Sequence, residues 1–392
     1  MRNRMTASPR ATLAAMGSDD SPRDRTSDTE PPAAPAAAAP RLPDQEARRP
    51  RLVTTMRDIA SIAGVSQSTV SRVLNDAPTR VPIAPETRER VTLAARRLGY
   101  RPNPLARGLR GAATMLIGAV VRDFSDPFFA AAIEALAIEA MARGYNVVLG
   151  HAHGRVEEGL ALTAVLETRH CDAIVMLGDM QDQPRLFDDL RHTAVPVVAL
   201  WQGTSPIEFP TMNVDERGGI HAGLRHLTEL GHERIAFVSG RLPGDNWSRQ
   251  DAYIEFMTGR FGAVPDGYVQ QAPNTLAGGE DAVRRLLELA GPPTAVVTST
   301  DLVAVGVLHA AYSLGRTVPV ELSVVGFDDL VLAAHTVPAL TTMRMPIAEI
   351  VAAGVKLAVD LARDTSASRE PRVTVFKPSL IIRQSTAAPP AR

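Results

Sequence analysis

The chain of 392 residues has very little cysteine, lysine or aromatic side chain, and almost no net charge. Its one cysteine, Cys171, excludes an internal disulfide and any Cys-rich zinc site. It has no run of 18 or more apolar residues, so no helical membrane span is expected. Aromatics make up 4% of the chain, which makes the adjacent pair Phe128-Phe129 conspicuous. Only two of its 42 bases are lysine, Lys356 and Lys377; the rest are arginine. Several sequence signatures of catalysis are also missing. Ser125-Asp126-Pro127 stands where a glycine-rich dinucleotide turn would follow the first strand, and there is no Walker loop or Gly-x-Ser-x-Gly elbow. No pair of histidines has helical metal spacing beside a carboxylate. His151 with His153, and His221 with His226, are expected on the surface, and Cys171 as a buried thiol at a helix-to-strand junction. The sequence calls for no cofactor or metal.

The net charge of −1 argues against a nucleic-acid partner only if the charge is evenly spread. It is not. Residues 1–51 carry +2, residues 52–111 carry +6, and the remainder carries −9. A basic module of about sixty residues ahead of an acidic body points to an anionic polymer or surface. Residues 1–51 contain the Ala-Pro tract 31–40 and few large apolar residues, so they cannot bury enough surface to offset ordering entropy and are expected to be a disordered tail. The tail lacks the apolar stretch of a secretory signal and has too many acids for a transit peptide. A cytoplasmic address is the corresponding expectation.

Within residues 52–101, Thr55-Met-Arg-Asp58 has the form of a capping box. Ile59, Ala60 and Ala63 follow at helical spacing, Gly64-Val65 breaks the helix, and Ser66 can cap a second helix over Gln67–Leu74. Helix, glycine turn and capped helix together predict a helix-turn-helix. Val65, Val70, Val73 and Leu74 would pack the second helix on the first. Gln67, Ser68, Ser71 and Arg72 would then face outward, where a recognition helix meets base edges. A third helix is expected from Pro85 or Glu86 to about Leu98, ended by Gly99.

The segment Met56–Asn75, followed by Glu86-Thr-Arg-Glu-Arg-Val91 and Leu98-Gly-Tyr-Arg-Pro-Asn103, closely resembles the opening of the LacI–GalR family of bacterial transcription regulators. The resemblance implies DNA contacts from Thr55, Ser66, Gln67, Ser68, Thr69, Ser71, Arg72, Asn75, Tyr100 and Asn103. It also implies that residues 102–111 form a hinge helix that orders in the minor groove. Ala106 and Arg107 would lie along that groove, with Leu109 as an apolar wedge between base steps. Gly108 and Gly111 weaken such a helix when it is alone, as suits a segment that orders on DNA. The stretch Asp76–Ala84 is two to three residues longer than is usual in the family, and Arg80 within it is a candidate phosphate contact.

From Met115 onward, short β-branched runs alternate with helical stretches. Strands are expected at Leu116–Val121, Asn146–Leu149, Ala173–Leu177, Val195–Leu200, Arg234–Ser239, Thr294–Thr298 and Leu322–Phe327, with an apolar helix from about Pro127 to Arg143. This rhythm implies parallel sheets covered on both faces, and its length implies two lobes over 112–385, followed by a flexible tail at 386–392. Ligands in such folds sit beyond the carboxyl ends of the strands.

The body is similar to the family's effector domain, itself related to periplasmic sugar-binding proteins. Asp126-Pro-Phe-Phe129, Asn213-Val-Asp215, Asp301-Leu-Val-Ala-Val-Gly306 and Val325-Gly-Phe-Asp328 carry that likeness. By resemblance, Phe128 and Phe129 line the ligand cleft, and Arg249 and Asp301 hydrogen-bond the ligand. Asp179, Trp201, Asn246, Asn274 and Asp328 are further candidates on approximately matching loops. Other readings remain open at this point: Phe128 and Phe129 as helix-start core, Arg249 as an ion pair, and Asp301 and Asp215 as helix caps. Glu216 replaces the family's usual asparagine, so nothing is carried over to it.

The expected architecture is an amino-terminal all-α helix-turn-helix DNA-binding domain with a hinge helix, then a two-lobed α/β domain like periplasmic binding proteins. The expected function is an effector-controlled transcriptional regulator rather than an enzyme. Its expected partners are double-stranded operator DNA, a sugar-like small molecule and a second copy of itself, with tetramers left open and no membrane. A solute-binding receptor without a DNA role is disfavoured by residues 56–110 and the missing signal segment. A sugar-modifying enzyme is disfavoured by the lack of any recognisable nucleophile, metal or acid pair.

Overall fold

The computed structural model describes residues 54–74, 82–100, 113–152, 171–180, 184–203, 208–241, 247–364 and 366–391. The expected tail at 1–51, the long loop with Asn75 and Arg80, and the hinge with Asn103, Ala106, Arg107 and Leu109 lie outside them, as does Asn246. Two units are distinct, one ending at Tyr100 and one starting at Arg101.

Among its described residues the first unit has three helices: α1 (Met56–Ala63), α2 (Gln67–Leu74) and α3 (Pro85–Arg97). Thr55 caps α1 reciprocally. Its backbone N–H donates to Asp58 Oδ2 at 2.7 Å, and the Asp58 N–H donates back to Thr55 Oγ1 at 3.4 Å. Gly64 ends the helix at φ +65, a left-handed conformation that glycine adopts without a Cβ penalty. Ser66 Oγ accepts from the Thr69 N–H at 3.1 Å and so starts α2. Ile59, Val70, Val73 and Val91 are buried between the helices, with Leu74, Leu98 and Tyr100 packed against them. Both helices of the turn have the bounds expected from the sequence.

The described residues of the second unit form two six-stranded sheets. The amino-terminal lobe uses β1 (Leu116–Val121), β2 (Asn146–His151), β3 (Ala173–Leu177), β4 (Val197–Leu200), β5 (Thr211–Val214) and β11 (Val373–Phe376) in the order β11-β5-β4-β3-β1-β2, all parallel. The carboxy-terminal lobe uses β6 (Ile235–Arg241), β7 (Val269–Pro273), β8 (Ala295–Thr298), β9 (Ser323–Asp328), β10 (Thr341–Arg344) and β12 (Ser379–Ile381) in the order β12-β10-β9-β8-β6-β7. Only β12 runs antiparallel to its neighbour. The central strands β1, β3, β4, β8 and β9 are almost wholly buried, as parallel strands covered on both faces must be.

Helices α4 (Pro127–Ala142), α5 (Pro184–His192) and α10 (Ile347–Arg363) serve the first lobe. Helices α6 (Glu216–Glu229), α7 (Trp247–Phe261), α8 (Leu276–Leu287) and α9 (Asp301–Ser313) serve the second. The chain therefore changes lobe three times: from β5 into α6, from β10 into α10, and from β11 into β12. Among the described residues no helix is long and apolar enough to cross a membrane.

Three expectations are corrected. Thr386 and Ala387, placed in a flexible tail, are fastened to the second lobe: Thr386 Oγ1 lies 2.9 Å from His226 Nε2, and Ala387 O lies 2.8 Å from His232 Nε2. His151, His221 and His226 are half-buried rather than on the surface. His151 stacks on Phe124 with centroids 4.4 Å apart, and His221 Nε2 lies 3.1 Å from the Ala252 carbonyl. Finally, β2 runs two residues past Leu149, and β4 starts at Val197 rather than Val195. Cys171 is a buried thiol in no disulfide, just before β3.

Candidate effector cleft and DNA-reading surface

The carboxyl ends of strands in both lobes converge on one cavity of about 80 Å³. Arg122 follows β1, Gly178 and Asp179 follow β3, and Trp201 follows β4. From the other lobe come Ser299 and Thr300 after β8, and Asp328 at the end of β9. Asp126, Phe128 and Phe129 come from the start of α4, Glu216 from the first turn of α6, and Arg249 from α7. Met345, at the crossover after β10, completes the wall. This is where open parallel sheets leave room for a ligand.

The apolar side of the cavity is aromatic. Phe128 stands edge-on to Trp201 with centroids 4.9 Å apart, and edge-on to Phe129 at 5.3 Å. All three rings are buried, so Phe128 and Phe129 are both helix-start core and cavity wall. Trp201 Nε1 and Gln202 Nε2 have no hydrogen-bond partner among the described residues. Trp201 and Asp328 hold positive φ, +58 and +120, which costs about 1–3 kcal/mol each for non-glycine residues. Backbone strain at two points of one cavity is the pattern of a site whose geometry serves something other than stability.

The polar side is built around Arg249. Its Nη2 lies 3.0 Å from Glu216 Oε1, and its Nη1 lies 3.8 Å from Asp328 Oδ1 and donates to the Ser299 carbonyl. Its guanidinium carbon sits 3.9 Å above the Phe327 ring, a cation–π contact. Ser248 Oγ donates to Glu216 from the same helix as Arg249. Arg249 is thus an ion pair and a cavity residue at once.

Asp126 caps α4, accepting from the Phe128 N–H at 2.9 Å. Its second oxygen accepts from Asn274 Nδ2 at 3.0 Å, and Asn274 Oδ1 accepts from Thr300 Oγ1 at 2.7 Å. Burial raises the Asp126 carboxyl above the usual carboxylate range, against the Phe128 N–H bond. Burial raises Asp328 well above that range, with Arg249 opposing.

Phe128, Phe129, Asp179, Trp201, Arg249 and Asp328, all expected at the cleft, do line it. Asn274 stands one bond behind it, holding Asp126 and Thr300. Asp301 is placed differently from expectation. It is fully enclosed, and the cap of α9 is Thr300, whose hydroxyl accepts from the Val303 N–H. Asp301 Oδ2 accepts from the Leu330 N–H at 2.8 Å, and Oδ1 accepts from Thr342 Oγ1 at 2.5 Å. It is neither a cap nor part of the cavity wall, and burial pushes its carboxyl up to about 7. Asp215 is a cap: the Gly218 N–H donates to its Oδ1 at 2.8 Å.

Sequence reasoning missed Arg122, Asp126, Gly178, Glu216, Ser299, Thr300 and Met345. Asp126 was legible as the first residue of its Asp-Pro-Phe-Phe string, and Ser299-Thr300 as the residues leaving a buried strand.

On the helical unit, Thr55, Gln67, Ser68 and Arg72 are exposed, and Thr69, Ser71 and Tyr100 are half-buried. Ser66 Oγ is engaged with Ser68 Oγ at 2.8 Å and Thr69 Oγ1 at 2.9 Å, so this cluster first of all locks the start of α2. Gln67 and Arg72 are left on the outer side of a helix whose other side carries Val70 and Val73.

Residues 55–103 match the family described as "Bacterial regulatory proteins, lacI family", and residues 224–386 match "Periplasmic binding protein-like domain". The chain is 32% identical over 305 residues to "Catabolite control protein A" of Priestia megaterium, covering 77% of this chain and 91% of that one. It is 32% identical over 349 residues to "HTH-type transcriptional repressor CytR" of Escherichia coli, covering 88% of this chain and 100% of the relative. Among solved structures, the lac repressor dimer bound to operator and the anti-inducer ONPF superposes with a TM-score of 0.76 at 25% identity. That match covers 86% of this chain and 99% of that one.

Proposed function

The chain belongs to the LacI family of bacterial regulatory proteins, and we propose that it represses transcription by binding a DNA operator with an affinity set by a small molecule held between its two lobes. The observation that carries this reading is the pairing, in one chain, of a capped helix-turn-helix with a cavity walled by strand ends of both lobes. Operator bases are read by the exposed side of α2, chiefly Gln67 and Arg72, with Thr55, Ser66, Ser68, Thr69 and Ser71 at or near the phosphates. Asn75, Tyr100, Asn103, Ala106 and Arg107 extend the contact, and Leu109 wedges the minor groove.

The effector is sugar-like. Aromatic rings on one wall suit the apolar face of a ring, and carboxylates and guanidiniums on the other suit its hydroxyls. Phe128, Phe129, Asp179, Trp201, Arg249 and Asp328 are its contacts. A bound ligand shifts operator affinity only by its differential affinity for the two lobe arrangements.

Two copies act together, matching a two-fold operator. In support, Ile133, Ala137, Met141, Val147 and Leu149 line an apolar groove between α4 and the edge strand β2, and Met141 is 72% exposed. The protein works in the cytoplasm, where its operator is.

The test is to select operator fragments from random DNA, then measure their affinity for the full chain by fluorescence anisotropy with and without candidate metabolites. A selected sequence whose binding changes with a metabolite, and whose change is lost in Trp201→Ala, supports the reading. Failure to enrich any sequence would overturn it.

A further inference from the structure

Among the described residues, acids outnumber bases around the cavity. Asp126, Asp179, Glu216 and Asp328 line it, against Arg122 and Arg249. In a site that binds phosphate or carboxylate groups, an arginine normally offers its two-pronged edge to the ligand. Arg249 has that edge turned to the protein. Its Nε and Nη2 lie 3.1 and 3.0 Å from the same Glu216 oxygen, its Nη1 faces Asp328 and the Ser299 carbonyl, and one face covers Phe327. Glu216 is itself held by the Ser248 hydroxyl, from the turn that carries Arg249. An anion seeking Arg249 would have to displace Glu216 and would then lie beside that carboxylate in a largely buried space, where like charges repel strongly. A neutral or amino-bearing molecule meets the opposite situation. Its hydroxyl or ammonium hydrogens find carboxylate acceptors, and its oxygens can accept from the unpartnered Trp201 Nε1.

We propose that Glu216 sets the chemical class of the effector: the cleft takes a compact polyol or amine without an anionic group, and it rejects phosphorylated and carboxylated counterparts because Glu216 keeps Arg249 from serving them. This rests on the cleft being the effector site, as proposed above. Glu216 acts through Arg249, so it is a specificity-determining residue even if it never touches the ligand.

The test uses the full chain on its selected operator, followed by anisotropy and by thermal unfolding. The probes are matched sets: glucose and glucosamine with glucose 6-phosphate and gluconate, and likewise ribose and adenosine with ribose 5-phosphate and adenosine monophosphate. Neutral or amino members should act, and their anionic counterparts should be at least tenfold weaker. Glu216→Gln should narrow that ratio at least tenfold. Glu216→Asp, which keeps the charge, should preserve it, and Trp201→Ala should weaken both members of a pair alike. A general loss of folding would not change the ratio, so the ratio separates selectivity from stability. The inference is overturned if an anionic member acts as well as its parent, if Glu216→Gln leaves the ratio unchanged, or if no neutral or amino member acts. A response that persists undiminished in Trp201→Ala instead overturns the cleft reading on which the inference rests.

Discussion

Asp126 in the amino-terminal lobe accepts a 3.0 Å hydrogen bond from Asn274 in the carboxy-terminal lobe, and so ties the two walls of the cavity together. The same Asp126 caps α4, and the same Asn274 takes the Thr300 hydroxyl, which in turn caps α9. Opening the lobes must break a bond that two helix starts share. Asn274→Ala removes it and leaves Asp126 to the Phe128 N–H alone. Small-angle scattering of the effector-free protein should then show a larger radius of gyration than wild type.

Arg249 is enclosed by two acids and a ring, so its removal takes away the cation that Glu216 and Asp328 share. Breaking a buried pair from one side typically costs about 3–5 kcal/mol. Arg249→Ala should therefore lower the free energy of unfolding in urea by a few kcal/mol and abolish the effector response.

The caps of the helix-turn-helix act on stability, and its outer side chains are the proposed DNA contacts. Thr55→Ala and Ser66→Ala should each cost about 1 kcal/mol of stability of the helical unit, read by hydrogen exchange of the α1 and α2 amides. Arg72→Ala should cost about 1–3 kcal/mol of operator binding and relax one base preference while leaving those amides protected. Operator affinity should also fall steeply with salt, since arginines displace counterions. A flat salt titration would contradict phosphate contact by this unit.

Two buried groups give stability opposite slopes in pH. His232 is enclosed by Thr294, Ser323 and Ala387, and burial lowers its pKa. A histidine depressed in the folded state contributes fully above its unfolded value of about 6.5 and loses that contribution as pH falls through its folded value. Asp301 is raised to about 7 by burial. Its contribution is whole below its unfolded value of about 3.9 and is lost as pH rises through 7. Below about 6.5 the two slopes oppose each other, Asp301 adding stability on acidification and His232 removing it. Asp301→Asn, whose amide can donate to Thr342 while its oxygen accepts from Leu330, should therefore make thermal midpoints fall more steeply on acidification than in wild type, and His232→Gln should shift that slope the other way.

Gly326 in β9 packs directly against the Asp301 carboxylate, with Leu340 and Thr342 closing the space around it. A methyl group there would overlap Asp301 Oδ1. Gly326→Ala should destabilise by about 1–3 kcal/mol in denaturant unfolding.

The parts of the fold legible in the sequence were those whose signals are local. A capping hydroxyl, a glycine at the end of a helix and a β-branched run carry their meaning within a few residues, and α1, α2, β1 and β3 have the bounds those signals predict. The strands that escaped are β5, β7, β10, β11 and β12. Thr-Met-Asn-Val and Val-Gln-Gln-Ala-Pro lack a continuous apolar run, and β7 and β11 lie at sheet edges where one side stays wet. The site divides the same way. Phe128 and Trp201 follow strands and point where strand ends converge. The direction of the Asp301 carboxylate was not legible, because it depends on space left by Gly326 and a hydroxyl from Thr342, both distant in sequence. Glu216 was visible only as a departure, and its meaning needed Arg249 beside it.

The three passages of the chain between lobes bear on how the protein is made. The amino-terminal sheet begins with residue 116, but its edge strand β11 ends at Phe376, after every strand of the opposite lobe except β12 has been synthesised. Until then β5 presents an open edge on a growing chain, the kind of surface that pairs with neighbours. The lobes therefore mature together at the end of translation rather than one after the other. A ribosome that stops between Ile347 and Phe376 would release a chain in which neither half of the cleft is complete.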